Sequence, residues 1–197
     1  MTETRSLQDG SDGVARLPLG TRIFHWTTVA LLALMFGLIL AAEQAGPGDL
    51  GATLVDLHRS VGLTLFLVVL ARLAWRLAHP LPPLRRPAWE RLLAGGVQAA
   101  LYVCVLAMPA LGWAASETAG DTIRLYGIVS LPSVLPMDED LSDRLFQLHG
   151  SVAIALLCLI GLHAAGALRH RFVLRDGVFE RMWLGGERSR KVNQSRR

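Results

Sequence analysis

Three stretches of this chain carry no charged side chain: residues 23–42, 92–116 and 145–168, of 20, 25 and 24 residues. A fourth apolar run, 57–77, is interrupted only by Arg59, Arg72 and Arg76. A bilayer core of about 30 Å is crossed by roughly 20 apolar residues wound as a helix. The runs therefore predict four transmembrane helices, at about 22–43, 55–77, 93–115 and 146–169. Any one run could be the buried core helix of a soluble protein, but four in 197 residues leave too little chain to cover them. Composition agrees. Hydrophobic residues make up 52% and charged residues 18%, against about 25% charged in a soluble domain. A disordered chain is excluded and a water-soluble enzyme is disfavoured. The expected fold is all-α, an integral membrane four-helix bundle.

Basic residues set the expected orientation. Seventeen lie in the N-terminal tail, between spans two and three, or from Arg169 onward; only Arg59, Arg124 and Arg144 lie in the other two connections. Both termini of this multi-pass protein are thus expected in the cytoplasm. The opposite face is acidic, with Glu43, Asp49, Asp56, Glu117, Asp121, Asp138, Glu139, Asp140 and Asp143. The basic face suits anionic lipid head groups. Nucleic acid is not an expected partner, because no soluble basic domain exists to bind it.

The expected organisation is a polar cytoplasmic tail over 1–21, the membrane domain over 22–170 and a basic cytoplasmic tail over 171–197. The polar, mixed-charge start is unlike a secretory signal. Gly46-Pro47-Gly48 turns the first connection, and His79-Pro80-Leu81-Pro82-Pro83 stops helix two. The third connection, about 116–145, is broken at Leu131-Pro132 and Leu135-Pro136, and 138–146 reads as a short helix leading into span four. Pro109 is expected to kink span three. Trp183 reads as an interfacial anchor, and the last ten residues as disordered. Cys104 and Cys158 fall inside spans and form no haem-attachment or zinc motif; they read as small apolar fillers.

The chemistry points to histidine. Of six, His25, His58, His149 and His163 fall inside the spans, where ionisable groups are costly and mark function by default. His79 and His170 lie at the rim and read as surface residues. His25 and His163 lie near the cytoplasmic ends of spans one and four. His58 and His149 lie near the outer ends of spans two and four. His149 and His163 are 14 residues apart, roughly 21 Å along a helix and within about 40° of one face. One helix thus offers one ligand to each of two stacked sites. Paired histidines across a bundle suit haem iron, whose coordination two axial nitrogens complete. Zinc would want three or four ligands. A proton relay would want acidic partners within the apolar runs, which contain none. Two b haems are the favoured reading; another metal, a relay or structural histidines are the others.

Arg72 is 14 residues from His58 and so faces the same way at the cytoplasmic level, where a haem propionate is a natural partner for a guanidinium. Snorkelling, as read for Arg76, is the alternative. Gly62, Gly161 and Gly166 near the histidines leave room for a macrocycle or for close helix packing. Spans two and four share Leu-His-x-Ser-Val, at 57–61 and 148–152. Trp26 and Trp75 read as interfacial or haem-packing aromatics.

These residues form a recognisable set: Arg22-x-x-His25-Trp26, His58-x-Ser60-x-Gly62, Arg72-Leu73-x-Trp75-Arg76, Met108-Pro109-x-x-Gly112-Trp113, Leu148-His149 and Gly161-Leu162-His163-Ala164-Ala165. Over about residues 17–184 the chain resembles the bacterial and Ni-hydrogenase-type cytochrome b561 family. The resemblance implies four helices, two b haems held by His25, His58, His149 and His163, and electron exchange with the quinone pool of a respiratory chain. Some members are similar to superoxide oxidase, an oxidoreductase that takes electrons from periplasmic superoxide and passes them to ubiquinone. Capture of superoxide is helped by a positive surface, whereas the outer face has nine acids against three arginines, with Arg59 beside His58 as the nearest cation. That face also suits a cationic redox protein. The alternatives are therefore a cytochrome b subunit anchoring a periplasmic dehydrogenase or hydrogenase, and a haem-free transporter or structural membrane protein.

Overall fold

The computed structural model describes residues 16–80 and 87–184. Most of the N-terminal tail, the Leu81-Pro82-Pro83 step with Arg85 and Arg86, and the last ten residues lie outside the described residues. Four helices account for most of the rest: α1 (Leu19–Ala45), α2 (Asp49–Ala78), α3 (Ala88–Thr118) and α4 (Glu139–Arg169). A two-stranded antiparallel hairpin, β1 (Arg124–Leu125) and β2 (Val129–Ser130), lies between α3 and α4. A π-helical turn (His170–Leu174) and a 3-10 turn (Glu180–Met182) follow α4. All four long helices are apolar enough to cross a membrane.

Each expected span falls within one helix, but the helices run further. The short helix expected at 138–146 does not exist separately: α4 starts at Glu139 and continues unbroken. The Asp138 carboxylate caps its first turn, accepting from the Leu141 amide at 2.9 Å, and Glu139 and Asp140 suit the positive end of the helix dipole. Nothing between Arg144 and Leu145 breaks the backbone, so the polar start and the apolar span form one rod. Helix α3 likewise continues through Pro109, whose missing amide leaves the Val105 carbonyl without its usual intrahelical donor. Helix α1 ends on Gly46, whose amide still bonds the Ala42 carbonyl and whose φ of 67° turns the following chain out of the helix.

Helices α1 and α2 pair as one hairpin and α3 and α4 as another, and the hairpins meet along α2 and α3. The backbones of α1 and α4 scarcely approach each other. All four contribute to a central core of Met35, Val61, Leu65, Val69, Val105, Met108 and Leu156. Other large apolar residues, such as Leu34, Leu67, Val103 and Ile154, point outward. That inversion of the soluble pattern is what a lipid solvent permits.

Each end of the bundle is closed differently. At the terminal end, where both termini emerge, the segment after α4 folds back on α1. The Arg181 carbonyl accepts from the Leu17 amide at 3.2 Å, the Met182 carbonyl from Trp26 Nε1 at 2.8 Å, and the Trp183 carbonyl from Arg22 Nη1 at 3.0 Å. The Trp183 ring packs edge-on to Trp26 and stacks on Phe179. Trp183 thus anchors protein to protein, beyond the interfacial role its position suggests. At the opposite, distal end, buried Glu117 accepts the Val134 and Leu135 amides at 2.8 and 3.1 Å. Ser142 Oγ donates to the Ala115 carbonyl at 3.0 Å. These bonds fasten the long connection to the end of α3.

Candidate functional site

The four intramembrane histidines fall into two groups, one toward each end of the bundle. At the terminal end His25 on α1 faces His163 on α4, with ring centres 6.2 Å apart and planes at 64°. The backbones that carry them scarcely approach each other, so the two side chains make the contact between α1 and α4 at this level. Arg72 on α2 enters the same space: its Nη2 donates toward His25 Nδ1 at 3.3 Å, and its Cζ lies 5.4 Å from the Tyr102 ring centre. Trp26 borders His25, with ring centres 5.5 Å apart. The spacing from His58 thus puts Arg72 at the right level. Tyr102 carries no comparable sequence signal, because no spacing relation on α3 links it to Arg72.

At the distal end His58 Nδ1 lies 3.1 Å from the Met35 carbonyl. A carbonyl only accepts, so this bond puts the proton on Nδ1 and leaves Nε2 free, the arrangement in which an outer contact orients a ligating imidazole. His149 is the electrostatic neighbour of His58. Its own Nδ1 is buried without a hydrogen-bond partner. Gly112 makes room for the His149 ring: a Cβ there would stand 3.1 Å from Cε1 and 3.3 Å from Nδ1. Gly62 similarly admits Met35, whose Cε would stand 3.3 Å from an added Cβ. A Cβ at Gly161 or Gly166 would meet nothing within 4 Å, so these two border open space rather than a packed helix.

Gly112→Val is expected to push the His149 ring out of position and to cost about 1–3 kcal/mol through overpacking. The visible spectrum and the thermal midpoint of the purified variant would check this; an unchanged pair would show that α3 does not hold the ring.

The rim histidines stand apart from both groups. His79 stacks on Trp75, ring centres 3.9 Å apart, and His170 Nδ1 lies 2.8 Å from an Asp176 carboxylate oxygen. Arg59 sits next to His58 in sequence, yet it is bridged to Asp56 at 3.2 Å and also to Asp121. Its charge is therefore compensated, and the distal end has less local positive potential than the sequence suggests. Cys104 is half-buried and Cys158 exposed.

The terminal pair fits haem iron. Two metal–imidazole bonds of about 2 Å each, with about 1 Å from each nitrogen to its ring centre, separate the ring centres by about 6 Å. The observed 6.2 Å agrees. At the distal end, two partly buried imidazoles, one oriented by the Met35 carbonyl and the other seated on Gly112, are a suitable donor set. Among the described residues no group of three or more His, Cys, Asp or Glu converges as a multi-ligand metal centre would require; a two-ligand site is outside that pattern.

Comparison with known proteins identifies the family. The family model for prokaryotic cytochrome b561 matches residues 16–185. Cytochrome b561 homolog 2 of Escherichia coli (strain K12) is 29% identical over 163 residues, covering 81% of this chain and 86% of that protein. Probable superoxide oxidase CybB of Yersinia pestis is 27% identical over 161 residues, covering 80% and 90%. Cytochrome b561 homolog 1 of Escherichia coli (strain K12) is 28% identical over 171 residues, covering 82% and 94%.

Proposed function

The chain belongs to the prokaryotic cytochrome b561 family, membrane b-type cytochromes, and from that premise we propose that it carries two b haems and moves electrons across the inner membrane to ubiquinone. The observation that carries the reading is the facing of His25 and His163 at 6.2 Å on two helices whose backbones scarcely approach each other. His25 and His163 would hold one iron, and His58 and His149 the other. Bis-imidazole haem supplies one-electron transfer and leaves no open position for oxygen. The chain's residues do the rest: the Met35 carbonyl orients His58, Gly112 seats His149, and Arg72 offers its guanidinium to a propionate. Both termini face the cytoplasm by the distribution of basic residues, with the diheme domain over 22–170 between two cytoplasmic tails. The terminal pair then lies at the cytoplasmic side and the distal pair at the periplasmic side.

Superoxide is the donor that the CybB relative suggests. Two superoxide ions, each oxidised to dioxygen, supply the two electrons that with two protons reduce one ubiquinone to ubiquinol. The compensated Arg59 also supports a second reading, in which a cationic periplasmic protein is the donor and this chain is its membrane anchor. Salt separates the two. The distal acids repel an anion, so screening should speed haem reduction by superoxide; they attract a cationic protein, which salt should slow. Stopped-flow absorbance of the protein in nanodiscs, with a superoxide source and with superoxide dismutase as control, measures this. A colourless protein would overturn the cytochrome reading. Coloured protein that superoxide leaves oxidised would overturn only the donor.

A further inference from the structure

The segment from Leu125 to Met137 contains no charged residue. It belongs to a connection, where contact with water favours polar side chains. Its tip is also strongly exposed: Ile128 at 85% and Val129 at 54%. The hairpin turns through Tyr126 and Gly127, both at positive φ, 50° and 71°. That geometry favours Asn, Asp or Gly, and a tyrosine there requires a compensating contact. Two such contacts exist, both on α2. The Tyr126 amide donates to Ser60 Oγ at 2.8 Å, and its phenol oxygen lies 2.6 Å from Thr64 Oγ1.

Those contacts fix the hairpin's height. Arg59 is the last charged residue of α2 before its uncharged stretch of 60–71. Thr64 is five residues deeper, about 7.5 Å along the helix. The backbone of Tyr126 is thus level with the start of the apolar stretch, and its ring descends beside it. This is the interfacial depth at which tyrosine concentrates in membrane proteins, its amphipathic ring at the headgroup level. Backbone groups at that depth must be satisfied. The Ile128 amide bonds the Leu125 carbonyl and the Leu131 amide the Ile123 carbonyl, each at 2.9 Å, while Ser60 takes the Tyr126 amide.

We propose that the tip of the β1–β2 hairpin is a membrane-inserted element, seating Ile128 and Val129 at the acyl-chain boundary of the leaflet at the distal end, with Tyr126 at the interface and the exposed Arg124 at the hairpin's base among the head groups. The occupant is lipid because the hairpin is tied to the flank of a spanning helix at the level where its charges stop. This inference rests on the membrane-spanning reading of the four helices and not on haem or quinone.

A fluorescent NBD label at Ile128→Cys tests it, in full-length protein with Cys104 and Cys158 replaced by alanine, in nanodiscs, with Asp140→Cys as the reference. Retained far-ultraviolet circular dichroism and monodisperse elution identify folded samples. The expected result is strong quenching by shallow doxyl-labelled phospholipid and a several-fold weaker response to aqueous iodide than at 140. Equal iodide access at both positions would overturn the proposal, placing the tip in water. Shielding from both quenchers would also overturn it, in favour of a protein partner. A charged variant, Ile128→Asp, gives a second reading: it should raise the iodide access of a label at Val129→Cys, and an unchanged value would count against insertion.

Discussion

His25→Ala and His163→Ala are expected to remove the same half of the haem absorbance, and His58→Ala and His149→Ala the other half. The argument is geometric. His25 faces His163 at 6.2 Å, and on α4 His163 lies 14 residues from His149, roughly 21 Å along the axis. Two ligands of one iron lie about 4 Å apart, so a pair formed from His25 and His149 is out of reach. Reduced-minus-oxidised spectra with a potentiometric titration would assign each variant to a class, once membrane insertion has been verified, because a lost cofactor also withdraws its binding energy from the fold. If well-inserted His25→Ala and His149→Ala removed one and the same component, the proposed pairing would be wrong. Loss of both components in every variant would mean that the two sites assemble only together.

Arg72→Leu is expected to keep both haems and to lower the potential of the one held by His25 and His163. Arg72 contacts His25 Nδ1 as a donor. An imidazole that ligates through Nε2 carries its proton on Nδ1, and arginine has no acceptor to offer it. The guanidinium must then turn to an anion, and a propionate carboxylate is the anion such a site supplies. A cation near the iron disfavours the more positive, oxidised form. Removing it at an effective dielectric of about 20 is worth about 1–2 kcal/mol, or about 40–90 mV for a one-electron couple. Redox titration of the variant reads this directly. A potential that stays in place would rule out the propionate contact, while Arg72→Lys should recover part of the shift if charge is what matters.

The spans were legible because a lipid solvent writes itself into sequence as the absence of charge. The histidines were legible because an ionisable side chain in such a run is costly to keep without a use. Arg72 was legible through its spacing from His58. Helix ends were less so: nothing in the hydropathy of 139–145 says that α4 starts there, since the cap at Asp138 and the span beyond Leu145 are separate signals that the backbone joins. The compensation of Arg59 was hidden for another reason. Asp56 is one turn away and readable, but Asp121 lies 62 residues on, and only the fold of the connection brings it back. Tyr102 and the strap of Met182 and Trp183 are contacts of the same long-range kind.

The strap also bears on synthesis. Trp26 and the Met182 carbonyl that it bonds are 156 residues apart in the chain. At about 5–20 residues per second, α1 enters the membrane roughly 10–30 seconds before the segment that covers its first turns leaves the ribosome. During that interval Trp26 and Arg22 hold donors with no native acceptor, and His25 waits for His163. The nascent bundle therefore passes through a stage open at its terminal end, and closure of that end marks the arrival of the last helix and of the residues behind it.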